Sequence, residues 1–598
     1  NSMKTQRTIK QETIAIFVYW SNCRIISKNT LTYLKELQKI ASTVLFVSNS
    51  KVNETEIEKL YKEEILFLQR KNEGFDFWGW KEGIFFLENK IKNASNLILC
   101  NSSCFLAFNR LDIFFQRMDE GSDVWGITSF EEKNIPFHLQ SYFLVFKNTI
   151  LNDWCSFCEF WACLPPMKSW QDAVKLGEQR LTNFYQHKGF KCRAVFESSE
   201  FPTKDLNPSF FYPVEVLKKG SPFLKKKIYL EEYKHTLIHS YGDSASSAMM
   251  FVRENGGRYE EILQELIRST TPSNLIQVLD LNYLVNYRVP PNNKVSSNRI
   301  AVVCFVYYEE MTHYMETILK RFEKLADIYI ISSKEQLLEH YKMQFAKRGV
   351  EIECRIQENR GRNEAAYFIT CKDIWSRYEY VCALHDKKTS HAKPALLGVD
   401  FMRHCEQNLC PTPNSVLEVV HFFDSNPLLG LLVPPVPLFG NFISSLLNPL
   451  GRNLESIKKL NEHLSLGLTF SKSKDIDVLS APFGGMFWAR TKALIPIAQA
   501  SLKLEDFPKE PLMTSDGTIL HAMERSYPLV VKNSGFYTAR VINLAHIPHM
   551  YDNLLYYSFR LSFRERVTFL LTGFFKKYLS TYPSLYQFAA SFYRKFLS

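Results

Sequence analysis

With 598 residues, 46% of them apolar and 23% charged, the chain has room for about two to four domains and too ordinary a composition for extensive disorder. Its thirteen cysteines are scattered, and the closest pairs (Cys155/Cys158 and Cys405/Cys410) have no second pair at zinc-finger spacing, which predicts buried, reduced thiols. No run of about 18 apolar residues marks a spanning helix, while a net charge of +11 with 14% aromatic residues leaves nucleic acid, anionic membrane and phosphorylated ligands open.

The first residues, NSMKTQRTIKQE, are polar and basic and lack the apolar run of a secretion signal, so a cytoplasmic protein is expected. Ile14 to Tyr19 (IAIFVY) reads as a strand, Thr30 to Ile40 as a helix, Thr43 to Val47 as a strand, Asn53 to Lys62 as a helix and Ile65 to Gln69 as a strand. Such alternation predicts an α/β fold with a parallel sheet, whose carboxyl edge commonly holds nucleotide and sugar ligands. The loop after the third strand, KNEGFDFWGWKEGI at 71–84, has the residues for that task. Gly74 lets backbone approach a ligand, Asp76 suits sugar or ribose hydroxyls, and Trp78 or Trp80 offers a flat face. A structural turn above core tryptophans fits the same pattern.

Asn96 to Cys100 is a further strand, ending in Asn101, Ser102 and Ser103. Acids at this place would hold a divalent metal against a diphosphate, and here they are missing. A strand from Tyr142 to Phe146 and a helix from Trp170 to Lys188, carrying Glu178, follow; a stretch rich in Pro and Lys (204–227) closes the half. The pattern from Glu231 to Tyr287 is mostly helical. RVPPNNKVSSN at 288–298 is the clearest linker.

Beyond the linker the order begins again. Ile300 to Val306 echoes the first strand, Ile328 to Ile331 the second, and QENRGRNEAAYF at 357–368 stands in the place of the 71–84 loop, with Asn363 where Asp76 was. Tyr380 to Leu384 leads into His385, Asp386, Lys387 and Lys388. The apolar stretch Pro427 to Leu447, broken by Pro434, Pro435, Pro437, Gly430 and Gly440, suits a buried loop. These correspondences predict an internal duplication of two α/β units. Their divisions are 10–230, a helical region 231–298, 299–552 with an insertion at 390–479, and a tail 553–598.

The second unit closes with FGGMFWARTKAL and SDGTILHAMER: a strand from Gly485 to Ala489, a helix from Thr491, then an acidic loop that brings Asp516 to the first turn of a helix with His521, Glu524 and Arg525. A carboxylate at a helix start beyond a strand is placed to accept a proton from a substrate hydroxyl, and it serves equally as an N-cap.

On NEGFDFWGWKEGI, HLQSYFLVF, NPSFFYPVEVLKKGSPFLKKK, ENRGRNEAAYF, LHDKKTSH, FGGMFWARTKAL and SDGTILHAMER the sequence resembles the rhamnan synthesis F family. The resemblance implies two tandem GT-A-like glycosyltransferase domains, joined by the helical region. It implies transfer of L-rhamnose, or a related deoxysugar, from a nucleoside diphosphate donor such as dTDP-L-rhamnose to a lipid-linked glycan. No cofactor is required by the sequence, with Mg²⁺ or Mn²⁺ left open. The family usually has Asp at Ser102 and at Asn363. Inverting transfer needs a base for the acceptor hydroxyl and charge opposite the leaving diphosphate. Asp516 is expected as the base of the second unit and Glu178 of the first; Arg360, Arg362, Lys387 and Lys388 are expected to meet the diphosphate. His385, His521 and Glu524 complete the substrate-binding candidates, and the larger number of cations favours the second unit as catalytic.

From Leu554 to Ser598 seven Lys or Arg stand against one acid, Glu565, with fourteen Phe or Tyr. Phe559, Phe563, Val567, Leu570 and Phe574 share one helical stripe beside Arg560, Arg564 and Arg566, the pattern of an amphipathic helix on an anionic bilayer. A peripheral enzyme on the inner face of the bacterial plasma membrane is therefore expected, in company with other polysaccharide-assembly transferases, and nucleic acid is not, since no binding module accompanies the basic residues. Three alternatives stand: a degenerate glycan-binding scaffold, a single GT-B-like enzyme, and two active sites making different linkages.

Overall fold

The computed structural model describes residues 13–559 apart from 117–120, 133, 204–205, 231–239, 287–298, 388–395, 441, 443–449, 451–452, 469–479, 511 and 513–516. The chain divides into two compact units, Asn1–Ser269 and Thr270–Ser598, each built on an eight-stranded sheet.

The first unit contributes β1 (Thr13–Tyr19), β2 (Thr43–Ser48), β3 (Leu66–Gln69), β4 (Asn96–Asn101), β5 (Cys104–Leu106), β6 (Val124–Glu132), β7 (Ile135–Leu139), β8 (Phe143–Lys147), β9 (Cys192–Phe196) and β10 (Phe223–Lys225). Its sheet runs β3-β2-β1-β4-β8-β6-β7, with β9 also against β6, while β5 and β10 form a separate antiparallel pair. Every residue of β1 is buried. Helices cover both faces, which is why the strand reads as an unbroken apolar run rather than an alternating one. The helix Phe75–Phe86 lies close on β1: a Cβ on Gly79 would stand 2.9 Å from Val18 Cγ2.

The second unit supplies β11 (Asn282–Val285), β12 (Ile300–Phe305), β13 (Asp327–Ser332), β14 (Glu353–Ile356), β15 (Tyr380–His385), β16 (Leu429–Val433), β17 (Phe487–Arg490) and β18 (Tyr537–Asn543). The path β3-β2-β1-β4-β8-β6-β9 reappears as β14-β13-β12-β15-β17-β16-β18. Each step keeps its parallel or antiparallel sense. The expected duplication is therefore present in the strand order of the two sheets.

Three expectations change. Pro427 to Leu447 is not simply a buried loop: Leu429–Val433 is β16, fully buried, and Pro434, Pro435 and Pro437 come only after it. That strand fills the slot of β6, so the stretch at 390–479 includes part of the repeated sheet. The mostly helical stretch Glu231 to Tyr287 holds the helices Ser244–Glu254, Tyr259–Ser269 and Pro272–Leu279, and then β11, which pairs with β18. The strand expected at Gly485 begins at Phe487, because Gly484 and Gly485 both take positive φ (93° and 70°). Among the described residues no helix is long and apolar enough to cross a membrane. The helix Ile547–Phe559 is described, whereas the basic stripe from Arg560 onward lies outside the described residues.

Candidate active site

At the carboxyl edge of the first sheet the chain turns from β3 into the helix Phe75–Phe86 through Gly74 (φ 71°) and Phe75 (φ 56°), both left-handed. A Cβ on Gly74 would stand 2.2 Å from the Trp78 ring, so only glycine fits, and the positive φ at Phe75 is strain of the kind found at functional sites. The turn sets Asp76 in the first turn of the helix, where the exposed N–H groups favour a carboxylate. Asn101, the last residue of β4, donates from Nδ2 to Asp76 Oδ2 (2.9 Å). Burial pushes the Asp76 carboxyl up to about 6, against the opposing pull of Lys225, Asn101 and Arg70.

The same asparagine extends the network outward. Its Oδ1 accepts from the Ser103 amide (3.1 Å) and the Ser103 hydroxyl (2.6 Å), and Lys225 Nζ donates to Ser103 Oγ (3.2 Å). Lys225 stands on β10, opposite Cys104 of β5, with its ammonium 4.7 Å from the centre of the Tyr142 ring. Arg70 is unavailable to a ligand, being bound to Glu82, Asn49 Oδ1 and the Glu73 carbonyl.

Glu178 lies in a π-helical turn, Ala173–Gln179, between Trp170–Asp172 and Arg180–His187. Its Oε2 accepts from Ser141 N (2.7 Å) and Ser141 Oγ (2.5 Å), and its Oε1 lies 3.5 Å from His138 Nε2. Burial would raise this carboxyl, but the His138 and Ser141 bonds outweigh burial and hold it below the ordinary range. For His138 burial acts downward and Glu178 overrides it, lifting the imidazole above its usual value. The outcome is an ionised carboxylate that also acts electrostatically on Asp76.

The equivalent edge of the second unit has the same backbone and a different use of charge. Gly361 (φ 75°) and Arg362 (φ 44°) repeat the left-handed pair at the start of the helix Arg362–Ala365. Arg360 donates from Nε to the Phe507 carbonyl (2.7 Å) and from Nη2 to the Glu505 carbonyl (2.8 Å). Arg362 makes a two-pronged pair with Glu510 (2.7 and 3.0 Å). Asn363 donates to Glu364 Oε1 (3.1 Å), and the Tyr527 hydroxyl donates to Glu364 Oε2. Glu364 is 2% exposed, and burial first, then the Glu524 charge, push its carboxyl well up.

His385 ends β15 inside the protein, its Nε2 2.5 Å from the Gly484 carbonyl and its Nδ1 2.8 Å from that of Asp386. Burial, helped by the Lys387 charge, lowers the imidazole to about 4. Lys387 stands 4.4 Å from the centre of the Phe401 ring, and His521 Nδ1 lies 2.8 Å from the Thr518 hydroxyl. Asp516 and Lys388 lie outside the described residues.

Two candidates lose the roles foreseen for them. Trp80 is fully buried, with Nε1 donating to the Cys100 carbonyl (3.0 Å), so neither face of its ring meets a ligand. His385 is buried with a backbone carbonyl beside each ring nitrogen, and as a neutral imidazole it donates to one of them. Four residues went unmarked in sequence: Asn101, Lys225, Trp20 and Asp386. Trp20 follows β1, is 49% exposed, and donates its amide to Ser102 Oγ (3.1 Å). Asp386 takes the place of Ser102 and accepts from the amides of Tyr307 and Tyr308 (both 2.8 Å). Its other oxygen is buried without a hydrogen-bond partner among the described residues, and burial raises this carboxyl to about 6.

A divalent cation is bound by several hard oxygens, carboxylates foremost. The end of β4 offers Asn101, Ser102 and Ser103 with an ammonium among them, and Asp76 is engaged by Asn101. That donor set does not fit a divalent metal. Among the described residues no three His, Cys, Asp or Glu side chains gather in a metal-holding group.

The model of the family described as rhamnan synthesis protein F matches residues 44–536. Protein y4gN of Sinorhizobium fredii is 28% identical over 156 residues, 26% of this chain and 40% of its own length. Protein WxcX of Xanthomonas campestris pv. campestris is 30% identical over 205 residues, 32% of this chain and 25% of its own. The chain thus spans less than half the length of these relatives. Among solved structures, the glycosyltransferase GlyE of Streptococcus pneumoniae TIGR4 overlaps 65% of this chain and 89% of its own at 10% identity and a TM-score of 0.23. A glycosyltransferase involved in the glycosylation of the major capsid of PBCV-1 overlaps 36% and 92% at 11% identity and a TM-score of 0.20. Overlaps of that size decide neither fold nor activity.

Proposed function

The chain belongs to the rhamnan synthesis protein F family, and from that premise we propose that it is a glycosyltransferase of bacterial cell-surface polysaccharide synthesis. The observation that carries this reading is the family match over residues 44–536, which includes Asp76, Asn101, Glu178 and Lys225 of the first unit and Arg360, Arg362, His385 and Asp386 of the second. The donor we assign is dTDP-L-rhamnose and the acceptor a lipid-linked glycan, transfer proceeding with inversion in a GT-A-like unit.

In the first unit Asp76 takes the sugar or ribose hydroxyls. Glu178, held ionised by Ser141 and His138, accepts the proton of the acceptor hydroxyl while the acceptor's own oxygen bonds to the anomeric carbon. The bond from that carbon to the diphosphate oxygen breaks, and the diphosphate leaves with the electron pair. Asp516 holds the corresponding role in a second site if both units are active. We place transfer in the first unit, because Arg360 and Arg362 are already engaged by carbonyls and by Glu510; the second unit is assigned to hold the growing glycan.

The test is turnover. Release of dTDP from dTDP-L-rhamnose in the presence of a polyprenyl-linked glycan, with the anomeric configuration of the product read by NMR, supports the reading. Binding of glycan without turnover of any nucleotide sugar overturns it in favour of a scaffold. For the tail we propose the inner membrane surface, where the assembly transferases that share the acceptor would also work. The exposed Tyr551, Leu554 and Tyr556 lead into it. Liposome binding that survives deletion of the chain after Asp552 would contradict that placement.

A further inference from the structure

Resting on the nucleotide-sugar reading, we propose that Lys225 is the leaving-group cation of the first unit and stands in for a divalent metal at the end of β4. Four observations meet at this residue.

First, its position. The three-residue strand β10 pairs with β5 in register Lys225 to Cys104, and β5 begins three residues after β4 ends. The pairing carries Lys225 across 122 positions of sequence to Ser103, beside Asn101 and Ser102. These residues occupy the end of the strand next to β1 in the sheet order, at the edge where a parallel sheet receives its ligand.

Second, its spare bonding. An ammonium has three donors. Among the described residues Lys225 uses one, on Ser103 Oγ, and turns toward the Tyr142 ring. No carboxylate is within ion-pair distance of it among the described residues, although its charge acts on Asp76. The neighbouring cations are engaged: Arg70 by Glu82, Asn49 and Glu73, and Lys226 by Glu265.

Third, the strand end offers amide and hydroxyl oxygens where a metal would require carboxylates. A group that donates hydrogen bonds and carries positive charge answers the same need, neutralising charge that gathers on the diphosphate as the sugar departs. Fourth, the local carboxylates are arranged to accept an anion beside them. Asp76 is held by a hydrogen bond from Asn101 Nδ2 (2.9 Å), and the Glu178 charge is met by His138 and Ser141.

The substrate class is therefore a nucleoside diphosphate sugar bound through its diphosphate without an obligatory metal. The experiment is calorimetric titration of dTDP and of thymidine into the full chain, in EDTA and in Mg²⁺, for wild type, Lys225→Ala and Lys225→Arg. Wild type is expected to bind dTDP equally in both buffers. Lys225→Ala should weaken dTDP by about 10- to 100-fold, the range for a charge-assisted bond, while thymidine affinity, where measurable, stays within about 3-fold; Lys225→Arg should keep most of the dTDP affinity. Unchanged dTDP binding by Lys225→Ala, or wild-type binding that requires Mg²⁺, overturns the assignment and leaves the transferase reading standing. Absence of dTDP binding in wild type in either buffer overturns both. Equal loss of thymidine, or equal loss in the arginine variant with a lowered melting temperature, marks Lys225 as a structural residue and also overturns the assignment.

Discussion

The two units lay the same path of strands and the same left-handed turn beneath their carboxyl edges, and then spend charge differently. In the first, Lys225 keeps donors in reserve and Glu178 is held ionised. In the second, Arg360 grips two carbonyls, Arg362 is paired with Glu510, Asp386 caps the loop after β12, and Lys387 is turned onto the Phe401 ring. The number of cations near an edge is therefore a poor guide to the number that can meet a ligand. Arg360 and Arg362 each commit two of five donors to the protein itself, whereas Lys225 commits one of three and pairs with no carboxylate among the described residues.

The contrast can be broken most severely at Glu178. Glu178→Gln should lower the rate of transfer by about 10²- to 10⁴-fold, the usual contribution of a general base, with little change in donor affinity. If full rate remains in that variant and is lost in Asp516→Asn, the active unit is the second. Trp80→Ala should cost about 3–5 kcal/mol in urea denaturation, because the ring fills the core between β1 and the helix Phe75–Phe86. Loss of donor binding in that variant with undiminished stability would return Trp80 to the site.

Asp76 and Asp386 sharpen the comparison through pH. Each carboxyl is raised from 3.8 to about 6, in both cases mainly by burial. The folded state holds such a proton more tightly than the unfolded state. The associated stability is complete below the unfolded value and is lost as pH rises to about 6, an effect on the order of 3 kcal/mol for each group. The stability difference between wild type and Asp76→Asn, followed by melting from pH 4 to 7, should move against wild type across that window, and Asp386→Asn should show the same sign. A flat difference would mean that the carboxylate is better solvated than its surroundings indicate.

The smallest effect is expected at Arg362. Its pair with Glu510 has the guanidinium half exposed, so Arg362→Ala should change stability by about 1 kcal/mol or less and donor affinity by less than about 3-fold. Larger loss of affinity would show that a ligand displaces Glu510.

The strands were readable because a strand buried on both faces is an unbroken apolar run, as in IAIFVY and IAVVCFV. The turn at Gly74 was readable because its chemistry is local. Lys225 was not, since β10 is three residues long and its meaning comes from Ser103, 122 positions away. His385 was placed correctly at a strand end, but sequence could not tell that its ring turns inward to Gly484. The Pro427 stretch misled because the prolines that follow β16 hid a strand of five residues.

The most direct test of the account is calorimetric titration of dTDP-L-rhamnose into wild type, Asp76→Ala and Arg362→Ala. Wild type and Arg362→Ala are expected to bind, with binding lost in Asp76→Ala alone. Loss in Arg362→Ala alone, or no binding by wild type, would contradict it.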